Sequence, residues 1–200
     1  MKIIDKLPET SFQTMHEQAL LALSTRDNAA YHVGMHTANM KINGEIRKTI
    51  IPPLDLYISK VTEKGVVSSD IDYRISYNHT TFPLGHVYGQ SGYLCLGNIP
   101  VPPYVSQYNL MAPLETLFLY NDKNINHGGA QLPITKEQHN EVLSWASEVE
   151  ITVNANADQY LKNDTLWDMC AQLLDKYDTE TAYENANRLF NIIFREGGKS

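Results

Sequence analysis

Hydrophobic and polar positions change period along this chain. Pro8-Glu9-Thr10-Ser11 is a helix start, and Phe12, Met15, Ala19, Leu20 and Leu23 then fall near helical spacing. An N-terminal helix is therefore predicted, ending at Arg26-Asp27-Asn28. From Tyr31 the period shortens to two. Tyr31, Val33, Met35, Thr37 and Asn39 alternate with His32, Gly34, His36 and Ala38, which predicts a strand. Asn43-Gly44, between short apolar positions, is a hairpin-turn signal. Leu54 to Val61 and Ser69 to Tyr77 read as two buried strands, punctuated by Glu63-Lys64-Gly65. Residues 31–97 thus predict an antiparallel meander of about four strands.

Beyond Pro103 no clean period is visible. Pro113 to Tyr120 fits a short helix or a strand, and Asn121 to Gly129 is a polar loop. The helical period then returns. Thr135 and Gln138 form a capping box for a helix running to about Val149. Asp164 is the expected cap of a helix bearing Leu166, Met169, Cys170, Leu173, Leu174 and Tyr177. Thr179 is the expected cap of a last one bearing Tyr183, Ala186, Leu189, Phe190, Ile193 and Phe194, ended by Gly197-Gly198. Strands followed by helices indicate an α+β fold. The division expected is a core over residues 1–134 with a helical extension over 135–200 packed on it.

Composition narrows the function. The chain has 200 residues, 42% of them hydrophobic and 20% charged, enough for an ordered domain. A net charge of −7, with lysines and arginines scattered, argues against broad binding to nucleic acid or anionic membrane. No apolar run approaches membrane-span length, and the N-terminus lacks a signal-peptide core, so a cytoplasmic location is expected. Asn78-His79-Thr80 and Asn163-Asp164-Thr165 then read as chance sequons.

Cys95 and Cys170 are the two cysteines, and neither has a nearby partner cysteine of a redox or zinc motif. Cys170 falls on the apolar stripe of a predicted helix and reads as core. Cys95 lies in His86-Val87-Tyr88-Gly89-Gln90-Ser91-Gly92-Tyr93-Leu94-Cys95-Leu96-Gly97-Asn98, before Ile99-Pro100-Val101-Pro102-Pro103. A strand-like run that breaks at glycines and stops at Gly-Asn places a small nucleophile beside a turn that a ligand can approach closely. Flanking Leu94 and Leu96 equally fit a buried core cysteine. His32 and His36 can share one strand face, but no third metal ligand has suitable local spacing.

Val87-Tyr88, a glycine turn and Cys95-Leu96 resemble the active-site segment of ubiquitin-conjugating enzymes. With Phe82, Gly97-Asn98, the prolines from Pro100 to Pro103, and Leu117-Phe118-Leu119 through to His127, the stretch more closely resembles prokaryotic ubiquitin-conjugating-like family D, the group of PRTRC system protein B. Ile51-Pro52-Pro53-Leu54-Asp55-Leu56-Tyr57 is similar to the start of a central strand there, so the likeness spans roughly residues 45–129. It implies a ubiquitin-conjugating-like fold and transferase activity, with a ubiquitin-like protein held as a thioester on Cys95. It also implies a bacterial conjugation system, linked to mobile elements or antiviral (phage) defence. The partners implied are the modifier, an adenylating activating enzyme and a metal-dependent deconjugating peptidase encoded nearby. This subunit itself would need no cofactor. In the usual ubiquitin-conjugating enzyme His-Pro-Asn precedes Val-Tyr, and Leu84-Gly85-His86 stands there in this chain. His86, Asn98 and the backbone at Gly97 are the candidate oxyanion donors, and His127 is the candidate base for an incoming amine. Two alternatives stand beside this reading. One is a non-catalytic adaptor of the same fold, and the other is a cysteine hydrolase using Cys95 and His127.

Overall fold

The computed structural model describes residues 28–63, 66–77, 80–81, 83, 118–119, 131–154 and 160–195. The expected N-terminal helix lies outside them. Within them the first half of the chain is β1 (Asn28–Val33), β2 (His36–Ile42), β3 (Glu45–Ile51), β4 (Leu54–Glu63), β5 (Val66–Tyr77) and β6 (Thr80–Thr81). Asn43 and Gly44 both take positive φ, 49° and 90°, which is the two-residue turn whose twist matches a hairpin. From this turn a two-stranded antiparallel ribbon runs back in one register. His36 lies opposite Ile51, and three residues further along Val33 lies opposite Leu54.

The ribbon is interrupted once, where Gly34-Met35 faces Pro52-Pro53. Two successive prolines have no N–H to give to the ladder, so pairing lapses there and resumes unshifted. The single strand expected over residues 31–39 is therefore two strands, β1 and β2. The prolines split the paired structure into a β2–β3 sheet and a β1–β4–β5–β6 sheet. β1 pairs with β4 and β2 with β3, β5 and β6 follow β4 in order, and every pair is antiparallel, with a register shift between Lys60 and Thr62 where β4 meets β5. In β4, Leu54 and Leu56 are buried while Asp55 and Tyr57 are half-buried. At these positions the strand is amphipathic, not buried on both faces as its composition suggested.

The second half contains β7 (Gln131–Pro133), α1 (Lys136–Glu148), β8 (Tyr160–Lys162), α2 (Asn163–Lys176) and α3 (Thr179–Ile193). Strands β7 and β8 pair antiparallel, a short sheet that the sequence pattern did not suggest. The capping box of α1 forms as expected. Gln138 N donates to Thr135 Oγ1 at 3.1 Å, and Thr135 N donates to Gln138 Oε1 at 2.8 Å. The other amide end of Gln138 donates to the carbonyls of Ile192 and Ile193, so one side chain closes both the start of α1 and the end of α3.

Two expected caps are displaced. Helix α2 begins at Asn163, directly after β8, and its N-cap position, Lys162, makes no side-chain capping bond. Asp164 lies inside the first turn, where a carboxylate favours the helix dipole without capping it. The α3 cap is Asp178, one residue before Thr179. Its carboxylate accepts from Thr181 N at 3.0 Å and from Thr181 Oγ1 at 2.9 Å. These bonds hold the Asp178 carboxyl below the usual carboxylate range, the backbone donor contributing most. Their contribution is complete above the unfolded-state pKa of about 3.9 and is lost as pH falls through the lower folded value. Asp178→Ala is expected to lower the thermal midpoint at pH 7 by roughly 2–4 °C. Repeating the melts toward pH 3 should bring variant and parent together.

Buried residues show how the layers meet. Helix α2 presents Leu166, Trp167, Met169, Cys170, Ala171 and Leu173 inward, all fully buried. This broad apolar face suits a helix packed on more than one side. It packs on the β2–β3 hairpin on one side and on α3 on another, and α1 packs on α3. Helix α3 buries the spaced stripe Ala182, Ala186, Leu189, Phe190 and Ile193. Residues of the ribbon, Phe118 and helices α1, α2 and α3 belong to one hydrophobic cluster. Each large aliphatic or aromatic side chain in it supplies about 1.5–3 kcal/mol on burial. Arg47 of β3 pairs with both Asp168 and Asp175, which lie seven residues, nearly two turns, apart on α2. Glu141–Arg195 and Glu148–Arg188 are two rungs that tie α1 to the antiparallel α3.

Candidate functional site

The thiol segment is approached through its two described flanks. Cys95, His86, Asn98 and His127 all lie outside the described residues, and so do Val87-Tyr88 and Gly97. Upstream, Pro83 is buried just after β6. Its carbonyl accepts a hydrogen bond of 3.1 Å from the indole Nε1–H of Trp167. Downstream, Phe118 is helical, fully buried and part of the same cluster as Trp167.

Trp167 is fixed from a second direction. Thr49, buried in β3, donates from Oγ1 to the Trp167 carbonyl at 2.8 Å. A buried threonine in a strand normally needs such an acceptor, because an unpaired hydroxyl away from water costs about 1–3 kcal/mol. The α2 backbone is thus pinned to the ribbon, and the Trp167 ring carries the pin on to residue 83. The sequence offered no sign of this arrangement. The Trp167–Pro83 partners are 84 positions apart, and neither residue type announces a hydrogen bond.

Cys170 is completely buried on α2, as its place in the helical stripe predicted. Burial pushes its thiol far above the ordinary cysteine range, since a thiolate there would lose its water without gaining a partner. That thiol has no route to nucleophilic chemistry in the folded chain. Asn163, of the second sequon, is also buried, in the first turn of α2, where a glycan has no room.

The histidines of the ribbon are brought to different places. His32 Nδ1 lies 2.9 Å from Asp55 Oδ1, directly across the β1–β4 pair. His36 Nδ1 lies 2.9 Å from the Gly34 carbonyl. Among the described residues no group of three or more His, Cys, Asp or Glu side chains is placed to hold a metal ion. Burial lowers the His36 pKa, and the hydrogen bond to Gly34 opposes the shift only in part. His36 therefore favours the neutral form in the folded chain. The unfolded chain takes up the proton first as pH falls below about 6.5, so stability drops through that window. Urea midpoints measured at pH 7.5 and 5.5 should show a steeper fall for the parent than for His36→Gln. Equal slopes would mean that other groups carry the dependence.

Among the described residues, no helix is long and apolar enough to cross a membrane. No family model, no curated protein and no solved structure matches this chain. The chemistry of the site rests, accordingly, on its own residues and on the scaffold around them.

Proposed function

We propose that this chain is a ubiquitin-conjugating-like transferase, with Cys95 carrying the C-terminus of a ubiquitin-like protein as a thioester. One conjunction carries the reading. The Val87-Tyr88 to Cys95-Leu96-Gly97-Asn98 motif falls between an antiparallel β-meander and a group of helices, while the only other cysteine is sealed in the core. That order of elements is the one the family resemblance implies.

The chemistry proceeds in two steps. The Cys95 thiolate attacks the thioester carbonyl that joins the modifier to the activating enzyme. A new C–S bond forms, and the activating enzyme's cysteine leaves as a thiolate. One thioester replaces another, so the exchange is nearly balanced in energy and needs little help from an adjacent base. An acceptor amine then attacks the Cys95 thioester. An amide forms, Cys95 leaves as a thiolate, and the amine proton passes to a base, the role assigned to His127. His86 and Asn98 are the side-chain donors proposed for the tetrahedral oxyanion, a role worth about 3–4 kcal/mol. ATP is consumed upstream by the activating enzyme.

The test combines the purified chain with the ubiquitin-like protein and adenylating enzyme encoded by its neighbouring genes. A covalent adduct that needs ATP and collapses on adding thiol reductant is the expected product. Binding of the modifier without an adduct would replace the transferase by the adaptor, a reading favoured by Leu84-Gly85-His86 where the usual ubiquitin-conjugating enzyme has His-Pro-Asn. ATP-independent release of a C-terminal ester by water would replace it by the hydrolase.

A further inference from the structure

Residues 149–154, which follow α1, lie along α2 as a strap. Ile151 and Val153 pack against the hydrophobic cluster, while Thr152 and Asn154 are exposed. The strap is held by its main chain. Gln172 grips one residue twice: its Oε1 accepts from Thr152 N at 2.8 Å, and its Nε2 donates to the Thr152 carbonyl at 2.9 Å. Lys176 Nζ donates to the carbonyls of Val149 and Glu150, and the Tyr177 hydroxyl donates to the Val149 carbonyl at 3.0 Å. Thr165 Oγ1 donates to the Asn154 carbonyl at 3.4 Å. Thr165, Gln172 and Lys176 are spaced by seven and four residues, which puts them on one stripe of the helix. The strap therefore runs antiparallel to α2.

Opposed forces act on this strap. Glu150 takes φ 51°, the left-handed region that favours glycine, so the turn out of α1 is strained. Against the strain stand hydrogen bonds that are largely exposed to water and individually weak. Gln172 is itself oriented from elsewhere. Its Nε2 also donates to Asp168 Oδ2 at 2.8 Å, which fixes the end of the amide that faces each strap group. The other oxygen of Asp168 accepts from Arg47 of the β2–β3 hairpin. Arg47, Asp168, Gln172 and Thr152 thus make a relay from the hairpin to the strap.

We infer that residues 149–154 are a latched strap, which leaves α2 as a unit while the core stays folded, and that Arg47 governs the latch through Asp168 and Gln172. A segment with half-buried apolar contacts and water-exposed bonds opens at lower free energy than the helix beneath it. Without Arg47 the Asp168 carboxylate is free to turn away, and the Gln172 amide loses the partner that orients it. Opening lifts Ile151 and Val153 off the hydrophobic cluster, so the device couples the hairpin to the uncovering of apolar surface.

Amide hydrogen exchange of the full-length chain, resolved by residue with NMR, tests the latch. The Thr152 N–H reports on the strap, and the helical amides of Cys170 and Leu173 report on the core. In the parent, Thr152 should exchange more slowly than an unstructured amide and faster than Leu173. Gln172→Met keeps length and helix propensity but removes the amide, and should speed Thr152 exchange about tenfold while Leu173 is unchanged. Arg47→Met should speed it about threefold, and should add nothing in the Gln172→Met background. A Thr152 amide that is unprotected in the parent would overturn the inference, as would one that exchanges only together with Leu173. An unchanged Thr152 rate in Gln172→Met, or an Arg47→Met effect undiminished in the double variant, would do the same. If Gln172→Met does not fold, Gln172→Glu replaces it. That variant lacks the Nε2 donor and sets a second carboxylate against Asp168, and the same rise confined to Thr152 is required of it.

Discussion

Cys95→Ala is expected to abolish the reductant-sensitive adduct, and Cys170→Ala to leave it intact. The contrast follows from the burial of Cys170 and from the carrier role proposed for Cys95. A thioester carrier must present a thiol that can ionise and that a protein tail can reach. A free thiol near pKa 8.5 is a few per cent ionised at neutral pH, which suffices for exchange between thioesters. Cys170 meets neither requirement, because it is fully buried and its ionisation is strongly suppressed. Its replacement trims one sulfur from the α2 core and costs stability, which is why the two variants should be compared well below their unfolding temperatures. Non-reducing electrophoresis with and without ATP reads the outcome directly. An adduct persisting in Cys95→Ala would end the carrier assignment, and one lost in Cys170→Ala at a temperature where that variant is folded would overturn the exclusion of the second thiol.

The largest effect on stability should come from Trp167→Ala, a loss of about 3–5 kcal/mol. Trp167 is the largest of the fully buried side chains and lies where α2 meets the ribbon and residue 83. Truncation empties an indole-sized volume in a close-packed interior that can only partly collapse. It also strips the Pro83 carbonyl of its donor, adding an unsatisfied buried acceptor. Leu143→Ala is the matched control. Leu143 lies on α1 and is 42% exposed, so its loss should change stability by no more than about 0.5 kcal/mol. Urea unfolding of the three proteins measures both numbers. A Trp167→Ala loss no larger than that of Leu143→Ala would show that residue 167 is not the keystone its burial indicates.

Local chemistry was legible wherever it was strong. Thr135 and Gln138 announced the start of α1 because a capping box uses two side chains three positions apart, and both bonds are made. Asn43-Gly44 announced a hairpin because its turn demands positive φ twice, and both angles are positive. Weaker caps were misplaced. Asp178, Thr179 and Asp164 are all competent cap residues on sequence, and only the backbone path chooses among them. The lapse in pairing at Gly34-Met35 was missed because its cause lies on the opposite strand, in Pro52-Pro53. The β7–β8 pair was missed because three residues carry no period. The candidate site divides in the same way. The motif around Cys95 is a matter of adjacent residues and could be read. The support that Trp167 gives to residue 83 depends on partners far apart in the chain and could not.

Taken alone, the order of residues determined that a β-meander precedes the C-terminal helices, where the hairpin turns, which face α2 and α3 bury, and that Cys170 belongs to the core. Those properties follow from spacing, because side-chain direction repeats every two residues in a strand and every 3.6 in a helix. Only the tertiary structure decided that α2 forms the floor between the ribbon and α3, that Thr49 and Pro83 meet at Trp167, and that Gln138 closes two helix ends at once. Those are meetings of groups from distant parts of the chain. They are settled by how whole surfaces pack and by the need of each buried donor and acceptor for a partner, and no local pattern encodes them.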